Sequence, residues 1–547
     1  MAENNITATR EGLIAEIQRR VDDKILEQTN ADLLTKLIQN AESLDEAMAI
    51  AQLGTTYKRT GLHYDKRLEK QRGNTIKYFK KNEELSFSDE SDNPHHKLII
   101  GDNYDALLNL LIQYRSKVDV IYIDPPYGKD SLGESANTNY NNAITRDNLL
   151  SMLYPRLVLA KQLLSNTGVL FVSIDDKNHA YVKCLLDEVF EEKHFLFSVP
   201  RITKKGGKAT DTIAKNNDYI LAYSITDEIE FNQEAKTNFT KYKFEDEFVE
   251  ERGKYALTQT LDYNSLQYSV GMDYEIEFEG RTFVPGGDVE KMRRRHNGEH
   301  GKTDWVWRWS KEAVKWGIEN NLLVLKGDRI YTKSYLYCRK KNNKCELEKI
   351  EATKAYTSLS FTDNKYSNDN GKKELDKFFV DASTLFKNPK PTSLIETLIG
   401  MVCDKEDAIV LDFYAGSGTT GQAVCNLNRD GGNRIAILCQ INEITDENPH
   451  GIALDVTSKR LKRVMTGICY DGTNNFAWIK DNEPLGGSLD VYEIESVSNA
   501  EHICGKTPFD VIDETLYGKE EFKNIEDKIR WVCENFEATQ DKLVEKK

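Results

Sequence analysis

An apolar run, Val118 to Ile123, leads directly into Asp124-Pro125-Pro126-Tyr127. Each of these four residues has a chemical use at the end of a strand. In an open α/β sheet, ligands lie outside the carboxyl ends of the strands, and Asp124 would stand at that edge. Pro125 and Pro126 have fixed φ and no N–H, so they stiffen the turn and leave carbonyls free to accept. Tyr127 offers a flat ring. Together they suit a planar group bearing an –NH2. Asp124 and a proline carbonyl accept its two hydrogens, and the ring stacks on its face. An exocyclic amine of a nucleobase is a poor nucleophile, because its lone pair is delocalised into the ring. Two acceptors on its hydrogens favour a pyramidal nitrogen and release that lone pair. This is preorganised electrostatic catalysis with no metal. The plain alternative is a strand-end turn with a capping Asp and a core Tyr.

A second segment, "VLDFYAGSGTTGQAV" (410–424), reads as strand, glycine turn and helix. Gly416 and Gly418 bracket Ser417 and permit a tight turn with close backbone approach. The spacing is neither G-x-G-x-x-G nor a P-loop, so by itself it fits a dinucleotide, a nucleotide or a bare turn. Asp412, at the strand end, is placed to take a ligand's ammonium group, and Thr419 or Thr420 to cap the helix. Beyond the next strand stands Glu443, where an acid commonly holds ribose hydroxyls. Gln440 is the nearer polar residue, and both stay open.

Two such segments need a scaffold. Short apolar runs recur at "KLII" (97–100), "VDVIYI" (118–123), "GVLFVSI" (168–174) and "DYILAYSI" (218–225), with helical stretches between the first three. A second block holds "TSLIETLIGMVC" as helix, "AIVLDFYA" as strand, "GTTGQAVCNLN" as helix and "RIAILCQI" as strand. The alternation predicts an α/β fold, a mostly parallel sheet with helices on both faces. Residues 8–60 keep three- and four-residue apolar spacing and read as helical, whereas 66–96 read as a charged linker. Ile525, Ile529, Val532 and Phe536 fall on one face of a C-terminal helix. The expected organisation is a helical region and linker (1–90), a first catalytic part (91–225), an inserted domain (226–380), a second part with the glycine turn (381–480) and a C-terminal region for dimer or partner contacts (481–547).

The formal charge of −15 over 547 residues argues against a generic nucleic-acid coat, but leaves room for a local basic groove. Such clusters exist. Arg201, Lys204, Lys205 and Lys208 flank Gly206-Gly207 in an expected loop, Arg293, Arg294 and Arg295 are consecutive, and Arg339, Lys340 and Lys341 lie in a Lys-rich stretch. Each is a candidate phosphate contact, set against a merely solvated surface. Trp305, Trp307, Trp309 and Trp316 could stack bases, but most are expected in the core. The nine cysteines contain no C-x-x-C and read as free thiols of a reducing compartment. No signal-like h-region and no 18-residue apolar run occur, so a cytoplasmic protein with no membrane partner is expected.

Taken together, Asp-Pro-Pro-Tyr and Asp-Phe-Tyr-Ala-Gly-Ser-Gly resemble the DNA amino-methyltransferases that use S-adenosylmethionine. The order, catalytic tetrapeptide first, resembles their circularly permuted β group, with a Rossmann-like class I methyltransferase sheet and a target recognition domain inserted between the halves. "NPKPTSLIETLI" (388–399) resembles the segment shaping the methionine end of the cofactor pocket, which implicates Lys390. "LIIGDNYDALLNL" (98–110) resembles the segment whose Asp lies near the cofactor adenine, here Asp102. Phe413, Gly416, Gly418 and Thr419 follow from the glycine motif. "DWVWRWSKEAVKWGIENN" (304–321), "RDGGNRIAIL" (429–438) and "IRWVCENFEATQ" (529–540) extend the resemblance to the modification (Mod) subunits of Type III restriction–modification systems. That resemblance implies methylation of adenine N6 in double-stranded DNA after base flipping. It also implies a homodimer and a restriction (Res) subunit as partners. Methylation of cytosine N4 is the rival within the class, although cytosine enzymes more often carry Ser in place of Asp124. RNA or protein-glutamine methylation fits less well, since those families carry Asn-Pro-Pro-Tyr after the glycine motif. A catalytically dead recognition subunit is opposed by the intact Asp124, Gly416 and Gly418.

Overall fold

The computed structural model describes residues 9–22, 26, 28–53, 75–88, 94–127, 146–206, 214–235, 241–265, 267–341, 344–351, 353–379, 385–498 and 506–537. Its centre is a nine-stranded mixed sheet. In chain order the strands are β1 (Thr75–Lys81), β2 (His95–Ile100), β3 (Val118–Ile123), β4 (Leu164–Ile174), β5 (Phe195–Ile202), β6 (Asn217–Ser224), β7 (Ile409–Asp412), β8 (Ile435–Gln440) and β9 (Ser488–Ser498). Across the sheet they run β1-β9-β2-β8-β7-β3-β4-β6-β5. The neighbours from β9 through β4 are parallel, while β1 and β6 run antiparallel to theirs.

The apolar runs explain the layers. Every residue of β3 is buried, as expected for a parallel strand covered on both faces. Alternate residues serve opposite cores. Ile121, Ile123, Leu170, Val172 and Leu411 join helices α4 (Asn103–Tyr114), α5 (Arg146–Leu163) and α6 (His179–Phe190). Val120, Tyr122, Val169, Phe171 and Val410 join α7 (Thr392–Val402) and α8 (Thr419–Leu427). The period of two thus builds a three-layer α/β body.

Three strands depart from expectation. Thr75–Lys81 lies in the stretch read as linker, Ser488–Ser498 in the charged tail, and Phe195–Ile202 reaches into the expected basic loop. The first two carry charges that face outward on the sheet margin, which disguised their alternation. β5 contains Pro200, tolerable on an edge strand that pairs on one side only. The C-terminal apolar stripe is also placed differently. Trp531, Val532 and Phe536 are buried in the main core against Tyr517, while Ile525 is exposed. Two of the four stripe residues, Val532 and Phe536, are therefore spent within the chain's own core.

The N-terminal helices α1 (Arg10–Asp22), α2 (Gln28–Asn40) and α3 (Leu44–Leu53) form their own small core around Ile17, Ala31, Ile38 and Ala47. Much of the insertion is built of short antiparallel strands around Leu261, Trp307, Leu323 and Ile330. Its end, from Phe361 to Phe379, instead packs under the main sheet.

Candidate functional site

Because β2, β8, β7, β3 and β4 are parallel, their carboxyl ends share one edge. That edge carries Asp102, Gln440, Asp412, Asp124 and Asp175. A cleft of about 530 Å³ opens there. It is lined by Asp124, Pro125, Pro126 and Tyr127 from the first segment, and by Asp412, Tyr414, Gly416, Ser417 and Thr419 from the second. Lys390 lies between these sets in the lining.

The Asp124 carboxylate already has donors on both oxygens. The Tyr127 hydroxyl donates to Oδ1 at 2.7 Å, and the buried Lys390 ammonium donates to Oδ2. Lys390 also donates to the Tyr127 hydroxyl at 3.3 Å and lies 5.6 Å from that ring's centroid. Tyr127 is thus tied through its hydroxyl, and its backbone carbonyl accepts from Asn178 Nδ2 at 2.8 Å. Burial and then the Asp124 charge push the Tyr127 phenol well up, so it stays a neutral donor.

The glycine turn is built without side-chain capping. Gly416 and Gly418 have φ of 52° and 78°, in the left-handed region. Gly418 itself is the N-cap of α8 and makes no side-chain cap. The expected capping by Thr419 or Thr420 is corrected. Thr420 donates to Asp412 Oδ2 at 2.5 Å, and Thr419 donates to the Lys390 carbonyl at 3.1 Å. Asp412 also accepts from the Tyr414 N–H at 3.0 Å. Burial pushes its carboxyl up to about 7, against these two hydrogen bonds and helped by the Asp124 charge.

Gln440 answers part of the Gln440-or-Glu443 question. Its Oε1 accepts the Gly416 N–H at 2.7 Å, and its Nε2 donates to the Ile441 carbonyl, so it braces the turn. Glu443 does not line the cleft. Phe413 is corrected too. It is a core residue, and the neighbouring aromatic, Tyr414, faces the cleft instead. Asp102 caps α4 through the Tyr104 N–H at 2.7 Å and pairs with Arg156 at 2.9 Å. It stands at the same edge but outside the cleft lining.

Two basic candidates are also corrected. Arg201 is wholly buried and forks onto Asp218, with further donation to the Tyr366 carbonyl at 2.7 Å and to Asn368 Oδ1. Arg295 is buried on Asp273, with Nε at 2.7 Å and Nη2 at 3.0 Å. Both are internal clamps: the carboxylate fork takes two of the guanidinium's five N–H donors, and neighbouring oxygens, the Tyr366 carbonyl for Arg201 and the Pro285 carbonyl for Arg295, take others. Arg293 and Arg294 remain exposed, Arg293 beside Glu290. Arg339 is exposed against Glu348, Lys341 is exposed near Glu346, and half-buried Lys340 lies over Trp309. Lys204 and Lys205 are exposed, and Lys204 lines the cleft. Lys208 lies outside the described residues. Trp307 is core, donating to the Tyr274 carbonyl.

A family model described as DNA methylase matches residues 118–447, more than half of the chain. The chain belongs to the DNA methylase family. A second model, of an uncharacterised conserved protein, matches residues 11–120 of this methylase. Among curated proteins it is 29% identical over 416 residues to the Type III restriction-modification enzyme StyLTI Mod subunit of Salmonella typhimurium. That match covers 69% of the methylase and 58% of the subunit's length. It is 28% identical over 383 residues to the Type II methyltransferase M.KpnI of Klebsiella pneumoniae, covering 66% and 84% respectively. Among solved structures, the PvuII DNA methyltransferase (cytosine-N4-specific) aligns at a TM-score of 0.29 and 11% identity, over 70% of the methylase and 97% of that chain.

Sequence reasoning missed several residues of the methylase site. Arg460 is fully buried behind the glycine turn, donating to the Ser417 carbonyl at 3.2 Å, Thr419 Oγ1 at 2.9 Å and Gln422 Oε1 at 2.9 Å. Lys177, Lys215 and Lys372 join Lys204 around the cleft. Lys177, Lys215 and Lys372 come from three separate segments, apart from the basic stretch that holds Lys204, and their common location is set by the fold. Phe386 also lines the cleft, and a Cβ on Gly416 would meet its Cζ at 3.0 Å.

Proposed function

We propose that the chain methylates N6 of adenine in duplex DNA, using S-adenosylmethionine, as the recognition and modification subunit of a Type III restriction–modification system. One observation carries the reading. Asp124-Pro125-Pro126-Tyr127 and the Gly416 turn, far apart in sequence, line one cleft at the carboxyl edge of the sheet.

The residues present fit the cofactor. The cleft lies within the roughly 300–1,000 Å³ usual for small-molecule sites. The glycine turn keeps backbone open where a side chain would intrude on Phe386. Asp412 would hold an ammonium group, and Tyr414 and Phe386 offer apolar walls. When bound, S-adenosylmethionine supplies an electrophilic methyl group. The rest falls to the chain. The Asp124 carboxylate and a proline carbonyl accept the hydrogens of the target amine, and the Tyr127 ring stacks on the base. A duplex hides that amine, so the base must be extruded into the cleft. Lys177, Lys204, Lys215 and Lys372 would hold the phosphates beside it. The chain order, with the catalytic strand before the glycine strand, supports a circularly permuted class I methyltransferase sheet, and the likeness to Mod subunits supports a homodimer with a Res partner.

Transfer of radiolabelled methyl from S-adenosylmethionine to plasmid DNA, followed by nucleoside analysis, tests the reading. Label in N6-methyl-2′-deoxyadenosine is expected, and label in N4-methyl-2′-deoxycytidine would reassign the base. The larger share of M.KpnI that is matched favours one second reading, a stand-alone methyltransferase. Co-purification of a Res chain from the native host would decide against it.

A further inference from the structure

Lys390 is bound to both halves of the cleft. Its carbonyl accepts from Thr419, the first residue after the glycine turn, and its ammonium donates to Asp124 and Tyr127 of the catalytic tetrapeptide. The side chain is nearly buried, so water replaces little of what this pair provides. Asp412 lies within range of the same charges. Asp124 raises its pKa and Lys390 lowers it.

This arrangement sets up a competition. A target amine that uses Asp124 as acceptor must share or displace the Lys390 donor, since the Tyr127 hydroxyl already holds the other oxygen. The ammonium cannot be left bare in a partly dry cleft, because an unpaired buried charge is costly. It needs another anion in reach. The cofactor named above carries one carboxylate, and Lys390 sits on the same cleft wall as Gly416, Ser417 and Thr419.

Resting on the function proposed above, we infer that Lys390 is an exchange residue. It masks Asp124 until the α-carboxylate of the cofactor takes its ammonium, and Asp124 then becomes free for the base. The cofactor half would thereby license the catalytic half, and binding would run cofactor first.

A double-mutant cycle on cofactor affinity tests this without DNA. Calorimetry would measure S-adenosylmethionine binding to the full chain, to Asp124→Asn, to Lys390→Met and to the double variant. With Lys390 present, Asp124→Asn removes the competitor for the ammonium and favours the cofactor. In the Lys390→Met background there is no ammonium to release. Any direct effect of Asp124 on the cofactor sulfonium occurs in both backgrounds and cancels in the cycle. The expected coupling is at least about fivefold in Kd, the low end of typical inter-site couplings. The same cycle with 5′-methylthioadenosine, which has no carboxylate, should show none. This control separates exchange from a merely structural role for Lys390, which would move both ligands alike. Equal effects of Asp124→Asn in the two backgrounds, within twofold, would overturn the inference, as would equal coupling for both ligands. If Lys390→Met fails to fold, Lys390→Gln replaces it. Absence of any S-adenosylmethionine binding by the unmodified chain would instead sink the function on which the inference rests.

Discussion

The edge of the sheet and the inserted region answered sequence reasoning differently. At the edge, the Asp-Pro-Pro-Tyr residues and those of the glycine turn stand around one cleft, although Asp102, Phe413 and Glu443 do not line it. In the insertion, three consecutive arginines divide, with Arg295 clamped inside on Asp273 and Arg293 and Arg294 outside. The reason is geometric. A parallel sheet brings the carboxyl ends of its strands together whatever their distance in sequence, so strand-end residues inherit a common location. A run of arginines carries no such constraint. On a short helix its members point in different directions, and each finds phosphate, water or a carboxylate accordingly.

The sharpest way to break this contrast is at the glycine turn. Gly416→Trp places a large side chain against Phe386 at a left-handed backbone position, and calorimetry should register no cofactor binding. Next comes the pair of arginines thought equivalent by charge. Arg201→Met leaves Asp218 buried without its partner and should cost about 3–5 kcal/mol in denaturant unfolding. Arg294→Ala, on the surface, should stay within about 0.5 kcal/mol. Equal costs would erase the distinction between clamp and surface charge.

Tyr127→Ala should weaken engagement of the flipped base by about 1–3 kcal/mol, read as 2-aminopurine fluorescence in the mapped site. Tyr127→Phe should be milder in stacking, but it removes the donor to Asp124 Oδ1. Smaller still, Lys215→Ala and Lys372→Ala should each lower the salt slope of DNA binding by about 1 and weaken binding uniformly across sequences. Unchanged slopes would move the phosphates off the cleft rim.

Asp412 gives a pH test. Its carboxyl is raised from 3.8 to about 7, so between those values the folded chain holds the proton more tightly than the unfolded one. Its contribution favours folding at low pH and is lost as pH rises through about 7. Ionisation in the same window supplies the anion for a ligand's ammonium. Cofactor affinity should therefore rise with pH through about 7, and Asp412→Asn should flatten that rise.

How much was legible follows from the same physics. Buried strands such as Val118–Ile123 are uninterrupted apolar runs and declare themselves, as does the glycine turn. The marginal strands Thr75–Lys81 and Ser488–Ser498 did not, because each carries three charged residues that interrupt its apolar alternation. Asp124 and Gly416 were visible as motifs, but their bridge, Lys390, was placed only by resemblance, and its role on Asp124 is a matter of tertiary contact. Arg460 left no local signal, since its partners Ser417 and Gln422 lie in another element. The C-terminal stripe was visible as amphipathic, yet amphipathicity does not say which surface covers it. Here the chain's own core does, so removing residues 520–547 should destabilise the fold rather than only weaken self-association.

The claim that two distant segments form one methyl-transfer site is tested most directly by a single-turnover measurement. Asp124→Asn, saturated with labelled S-adenosylmethionine and mixed with substrate DNA, should bind the cofactor yet transfer its methyl group at least about 100-fold more slowly than the unmodified chain. Transfer within threefold of the unmodified rate would contradict the account.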